Sequence, residues 1–128
     1  VDIQLQTTIK PSLYVLGARL ELELVGVNLL KTAAEARRDI DHACIDVQLT
    51  SEKGKAVLRV NDNGRPIDSE ILKELGEALS TTKVSGLGLG LWVVKNIASR
   101  HNASVAFERS SAGGVCAQFS ISLIGEHA

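Results

Sequence analysis

Glycines at 86, 88 and 90 alternate with Leu87, Leu89 and Leu91, and an amphipathic pattern follows at once. Gly has no Cβ, so the backbone there can take positive φ and come close to a ligand. Where such a loop enters a helix, its N–H groups lack helical partners and point outward, which favours an anion. The stretch reads as a phosphate cradle opening a helix from about Gly88 to Arg100, with the leucines turned inward. It is not the dinucleotide fingerprint, whose third glycine comes one residue later, nor a P-loop, which ends in Gly-Lys-Ser/Thr. A close-packed loop without a ligand is the plainer reading of the same pattern.

Asn28, Thr32 and Glu35 stand at i, i+4 and i+7, on one face of a helix. An amide and a hydroxyl one turn apart can hold a hydrated Mg²⁺ through oxygen, alongside ligand phosphates. A solvated helix face accounts for them too. Asp62 ends an apolar run and precedes Gly64 by two residues. A carboxylate there can accept from an adenine amino group while the glycine lets the base approach; a strand-capping turn is equally compatible. Lys83 precedes the glycines and can pair with a terminal phosphate as a mobile point charge, or simply be solvated. His42, His101 and His127 are scattered and form no triad or metal set, so they read as surface or helix-end residues. Trp92 reads as a packing residue.

These residues need elements to position them. Residues 1–8 alternate as a strand, ended by Pro11. Residues 18–37 read as a helix with Leu20, Leu24, Val27, Leu30 and Ala34 as its apolar stripe. Gly26 inside it costs about 1 kcal/mol relative to Ala, which predicts close packing against a neighbour or a cofactor. Residues 43–49 and 55–60 form a hairpin about a turn at 51–54, and 61–66 are a loop. A short helix over 68–75 and a connector over 76–85 follow. The next helix turns Leu91, Val94, Ile97 and Ala98 inward and stops at His101-Asn102. Residues 104–109 and 115–123 make a second hairpin. Two hairpins exclude a purely parallel sheet. The expectation is a two-layer α/β sandwich: one mixed, largely antiparallel sheet with helices packed on one face.

The 128 residues suit a single domain, and 45% hydrophobic with 23% charged residues suits a globular one. A net charge of −1 gives no pull toward nucleic acid or an anionic membrane, and 3% aromatics offer no base-stacking platform. No apolar run approaches about 20 residues, and no signal peptide is visible. A chain without Met that begins at Val1 reads as part of a longer protein. Cys44 and Cys116 read as small buried thiols in a reducing compartment, too few for a zinc site.

Taken in order, Asn28-Leu29-Leu30-Lys31-Thr32-Ala33, then Asp62-Asn63-Gly64, then Thr81-Thr82-Lys83 running into Gly86-Leu87-Gly88-Leu89-Gly90-Leu91 resemble the N, G1 and G2 boxes of bacterial sensor histidine kinases. The resemblance is to their catalytic and ATP-binding domain, with the Bergerat fold, and covers about residues 20–123. It implies that Asp62 receives the adenine amino group and that Gly64 and Ile67 lie against the base. It implies that Gly86, Leu87, Gly88, Leu89 and Gly90 line the phosphates and anchor a short ATP lid over about 69–85. It implies that Asn28, Thr32 and Glu35 face Mg²⁺ and phosphate oxygens, with Asn28 and Thr32 as metal ligands, and that Lys83 closes over the phosphates. Catalysis falls to Asn28 and Lys83.

The cofactors implied are ATP and Mg²⁺. The partners are the dimerisation and histidine-phosphoacceptor domain of the same protein and a response regulator downstream, with no nucleic acid. The resemblance further implies a cytoplasmic location and a monomeric isolated domain. Two departures bear on this. Thr32 stands where the family's N box has Asn, the usual metal ligand, and Ala78-Leu79-Ser80 stand where it has phenylalanines. Asn28 occupies the place of the Glu that serves as base in the superfamily's ATPases, and an amide takes no proton at neutral pH. That favours a kinase over a hydrolase. No His here is followed by Glu or Asp, so the acceptor lies elsewhere. The other expectation, resting on Thr32, is a degenerate nucleotide-binding module that regulates by contact.

Overall fold

Lys53 and Gly54 both have positive φ, 52° and 77°. Two such residues in succession make the tight turn whose twist matches paired strands. The computed structural model accordingly joins β3 (Ala43–Glu52) to β4 (Lys55–Asp62) by those two residues alone, in register from Glu52↔Lys55 to Ile45↔Asp62. The hairpin is longer than its apolar pattern suggests, since polar Asn61 and Asp62 still pair. The structure describes residues 3–9, 13–35, 43–63, 89–110 and 113–126.

The other described elements are β1 (Ile3–Ile9), β2 (Leu13–Val15), α1 (Arg19–Glu35), α2 (Leu89–Arg100), β5 (Ser104–Arg109) and β6 (Val115–Glu126). The sheet runs β1-β3-β4-β6-β2, with β5 also paired to β6. Among the described strands only β1 with β3 is parallel; β3 with β4, β4 with β6, β5 with β6 and β2 with β6 are antiparallel. Both hairpins and the mixed sheet are as the sequence predicts. Strand β2 is new: three residues after Pro11 give no periodic signal, and their pairing with the end of β6 is a tertiary event. The expected helix over 68–75 lies outside the described residues.

Strand alternation divides the sheet into two faces. Ile45, Ala56, Val60, Ala117, Phe119 and Ile121 point to the helices and form one core with Val25, Leu29 and Ala33 of α1 and Val94, Ile97 and Ala98 of α2. The α2 inner face is the predicted one at Val94, Ile97 and Ala98. The α1 face is not. The expected stripe through Leu20, Leu24 and Val27 faces outward, with Leu20 75% exposed, while Val25 and Leu29 are 1% exposed. Helix α1 carries apolar residues on most of its circumference, so spacing alone admits two stripes, and packing on the sheet selects 25-29-33 with partial burial of Leu22, Leu30 and Ala34. Trp92 is a further correction: it is 40% exposed, not a packing residue. Gly26 departs from the expected packing against a neighbour: among the described residues, a Cβ built there meets nothing within 4 Å.

Helix α2 ends in a complete cap. Asn102 takes φ 53°, Ala103 N–H donates to Ala98 O at 2.8 Å and Asn102 N–H to Ser99 O at 3.4 Å. These are the paired bonds of a Schellman motif, with Asn as the left-handed residue.

Candidate functional site

Asp62 is the last residue of β4 and only 3% exposed. Alternation from Ala56, Leu58 and Val60 puts it on the helix side of the sheet. Its Oδ1 accepts the N–H of Val115 at 2.9 Å, which fixes the start of β6. Asn63 does the same on the other flank: its N–H donates to Cys44 O at 3.2 Å and its Oδ1 accepts Cys44 N–H at 2.7 Å. The Asp-Asn pair thus closes the end of β4 onto both neighbours. A carboxylate has about four acceptor positions, and the Val115 N–H takes one of them.

The two helices reach the same end of the sheet. Leu22 and Val25, in the N-terminal half of α1, share an apolar pocket of about 160 Å³ with Ala56 and Leu58 at the start of β4. Chain direction then carries Asn28 and Thr32 toward the Asp62 end. Helix α2 is tied tail to head with α1: Arg100 donates to Glu21, and His101 Nε2 accepts the Ala18 N–H at α1's entrance. The opposite terminus of α2, at Leu89 and Gly90, therefore lies beside the C-terminal half of α1. Helix direction thus runs Asn28, Thr32 and the start of α2 toward the end of the sandwich at which β4 closes with Asp62.

Asn28 and Thr32 are half-buried. Asn28 Nδ2 donates one hydrogen to Leu24 O at 2.8 Å, so its carbonyl oxygen is turned away from that bond. Thr32 Oγ1 donates to Asn28 O at 2.9 Å, leaving hydroxyl lone pairs. Both side chains thus offer neutral oxygen to a hard cation, which fits a hydrated Mg²⁺ held mainly by phosphate and water rather than by the protein. Among the described residues no group of three His, Cys, Asp or Glu forms a metal cluster. Gly64, Ile67, Lys83, Gly86, Leu87 and Gly88 lie outside the described residues, and Glu35 enters only as the last residue of α1.

A cavity of about 450 Å³ opens at the same strand end: Asp62 and Asn63 line it together with Cys44, Asp46, Arg59, Asn61 and Cys116, and it extends over the face away from the helices. Neither Asn28 nor Thr32 lines it. That polar face is organised by Arg59, whose Nη2 donates to Glu52 Oε1 at 2.9 Å and whose Nε donates to Gln118 Oε1 at 3.1 Å. Arg59 and the Thr50 hydroxyl hold the Glu52 carboxyl down to about 2. Burial pushes the Cys116 thiol up, with Arg59 opposing. Cys116 is buried as expected, whereas Cys44 is half-buried. Sequence reasoning missed the capping by His101; its only signal was a polar residue immediately after a helix.

A mixed, largely antiparallel sheet with two helices packed on one face is the fold of the histidine kinase ATP-binding domain. The solved catalytic domain of histidine kinase ThkA, nucleotide-free, superposes with a TM-score of 0.78 at 23% identity, covering 94% of this chain and 79% of that one. The mycobacterial sensor histidine kinase MprB gives 0.75 at 22% identity, covering 94% and 82%. Residues 17–124 match the family described as histidine kinase-, DNA gyrase B- and HSP90-like ATPase, and the chain belongs to that family. Among curated relatives, it is 38% identical over 101 residues to the C4-dicarboxylate transport sensor protein DctB of Rhizobium meliloti, covering 79% of this chain and 16% of that protein. Sporulation kinase A of Bacillus subtilis is 34% identical over 96 residues, 75% of this chain and 16% of that protein. The chain therefore spans 16% of the length of these two relatives. No described helix is long and apolar enough to cross a membrane.

Proposed function

We propose that this chain binds Mg·ATP and donates the γ-phosphoryl group to a histidine on a separate helical dimerisation domain of the same protein, from which it passes to a response regulator. What supports this most is the buried carboxylate of Asp62 at the end of β4, toward which chain direction carries the Asn28–Thr32 pair of α1, with the start of α2 packed beside that helix. Asp62 accepts the adenine amino hydrogen, with Gly64 and Ile67 against the ring. The unpaired N–H groups at the start of α2 and the loop from Gly86 to Gly90 receive the phosphates. Lys83 adds a positive charge at the terminal phosphate.

Mg²⁺, when bound, would supply charge neutralisation at the phosphate oxygens, and Asn28 and Thr32 would be its protein ligands, with Glu35 one turn further along the same helix. The protein's part is positioning and electrostatics. The acceptor imidazole nitrogen forms the new P–N bond as the bond from phosphorus to the bridging oxygen breaks, and ADP leaves with that electron pair. Asn28 has no proton-accepting role, so water is not activated as a competitor. The protein is read as cytoplasmic in this portion, without contact to nucleic acid.

Thr32 favours a second reading, a nucleotide-binding module that regulates by contact with little transfer: its hydroxyl is short and already donates to Asn28 O. Calorimetric titration of ATP with and without Mg²⁺, followed by autophosphorylation of the full-length protein, separates these. Metal-dependent binding with transfer supports the kinase. Binding without transfer supports the module. No binding removes both.

A further inference from the structure

One imidazole joins the end of α2 to the entrance of α1. His101 Nδ1 lies 2.8 Å from Ile97 O, and Nε2 lies 3.0 Å from the Ala18 amide nitrogen. A carbonyl only accepts and an amide N–H only donates, so Nδ1 carries the proton and Nε2 accepts. Both bonds together require the neutral ring in that tautomer. The Ala18 N–H is the donor just ahead of α1's first turn, where Leu22 N–H bonds Ala18 O at 3.0 Å. A capping-box Glu from within the helix usually serves that donor; here the ligand comes from the other helix. Space beside the ring is reserved by Gly17, where an added Cβ would lie 2.6 Å from Cδ2 and 2.9 Å from Nε2. The neighbouring Arg100–Glu21 pair joins the same ends but is 58% and 31% exposed, so it is a weak, screened contact. His101 is half-buried and bonds backbone, which makes it the directional link.

This link is at the far end of the helix pair from Asn28, Thr32 and the start of α2. From Ala18 to Thr32 the helix extends roughly 21 Å at 1.5 Å per residue, so a pivot of about 5° at Ala18 moves Thr32 by about 2 Å. Displacements near 1 Å are enough to matter for a bound phosphate. We infer that His101 is a positioning residue: through Ala18 it sets α1 against α2 and thereby aligns the two elements that face the phosphates, without touching nucleotide. The inference rests on the nucleotide site proposed above.

The test titrates ATP and adenosine separately into this chain and into His101→Ala, His101→Gln, Gly17→Ala and the His101→Ala/Gly17→Ala double variant, at a temperature where circular dichroism shows each folded. His101→Ala is expected to weaken ATP about tenfold while adenosine stays within about twofold, because the purine end does not depend on the link. Gly17→Ala should do the same by displacing the ring, and the double variant should be no worse than the worse single one. His101→Gln, whose carbonyl can take the Ala18 N–H, should recover part of the loss. Gly17→Ala and His101→Gln carry the test should His101→Ala not fold. A ring ¹⁵N spectrum of the parent should show the Nδ1–H tautomer. If the parent binds neither ligand, the site reading fails and this inference with it. If the parent binds and the folded variants keep its ATP affinity, or lose ATP and adenosine equally, positioning by His101 is overturned while the site stands.

Discussion

Asp62 and Val115 are joined by a 2.9 Å bond from the Val115 N–H to Asp62 Oδ1, so the carboxylate proposed to grip the purine also holds the first residue of β6. Structure and binding share one side chain. Replacing Asp62 by Ala leaves the Val115 amide without that acceptor, at about 1–3 kcal/mol for an unmet buried group. Urea unfolding of Asp62→Ala should show that loss together with absent ATP binding. Unchanged stability would mean the Val115 bond is replaced by water at no cost.

Thr32 presents a short hydroxyl already bonded to Asn28 O. Thr32→Asn in the full-length protein lengthens the arm and offers a carbonyl oxygen, and autophosphorylation and Mg²⁺-dependent ATP affinity should rise about tenfold, the worth of one good polar contact. An unchanged rate would mean that Asn28 already suffices.

Gly26 is inside α1, and among the described residues nothing lies within 4 Å of a Cβ built there. Gly26→Ala should therefore stabilise the domain by roughly 0.5–1 kcal/mol, by restricting the unfolded chain and favouring helix. Thermal unfolding checks it; a lower midpoint would mean that something does pack there.

Glu52 is held down from 4.5 to about 2 by its bonds to Arg59 and then Thr50. A carboxylate with a lowered folded-state pKa stabilises fully above its unfolded value and loses that contribution as pH falls through the folded one. Stability should thus decline between about 4.5 and about 2, and Glu52→Gln should flatten the decline in that window. Because the pair is solvent-exposed, raised salt should weaken it too. An identical acid profile for Glu52→Gln would assign the decline to other carboxylates.

Much of this was legible in the sequence, for local reasons. The β3–β4 hairpin follows from Lys53-Gly54, and the end of α2 from His101-Asn102, because positive φ and capping are encoded within a few residues. The ordered Asn28, Asp62 and Gly86–Gly90 pieces indicate the family from sequence alone. What was not legible depends on long-range packing. The inward stripe of α1 could be chosen only by the sheet beneath it, β2 only by the end of β6, and the role of His101 only by a contact 83 residues away in sequence.

The central claim is that Asp62 reads the purine's amino hydrogen. Calorimetry of ATP and inosine triphosphate, against the parent and Asp62→Asn, tests it most directly. Asn keeps an acceptor for Val115 but replaces the other oxygen by a donor. The account predicts that the parent prefers ATP by about 10- to 100-fold, as for a hydrogen bond to a charged group, and that Asp62→Asn loses ATP affinity and erases or inverts the preference. A folded Asp62→Asn that binds ATP as tightly as the parent, with the same preference, would contradict it.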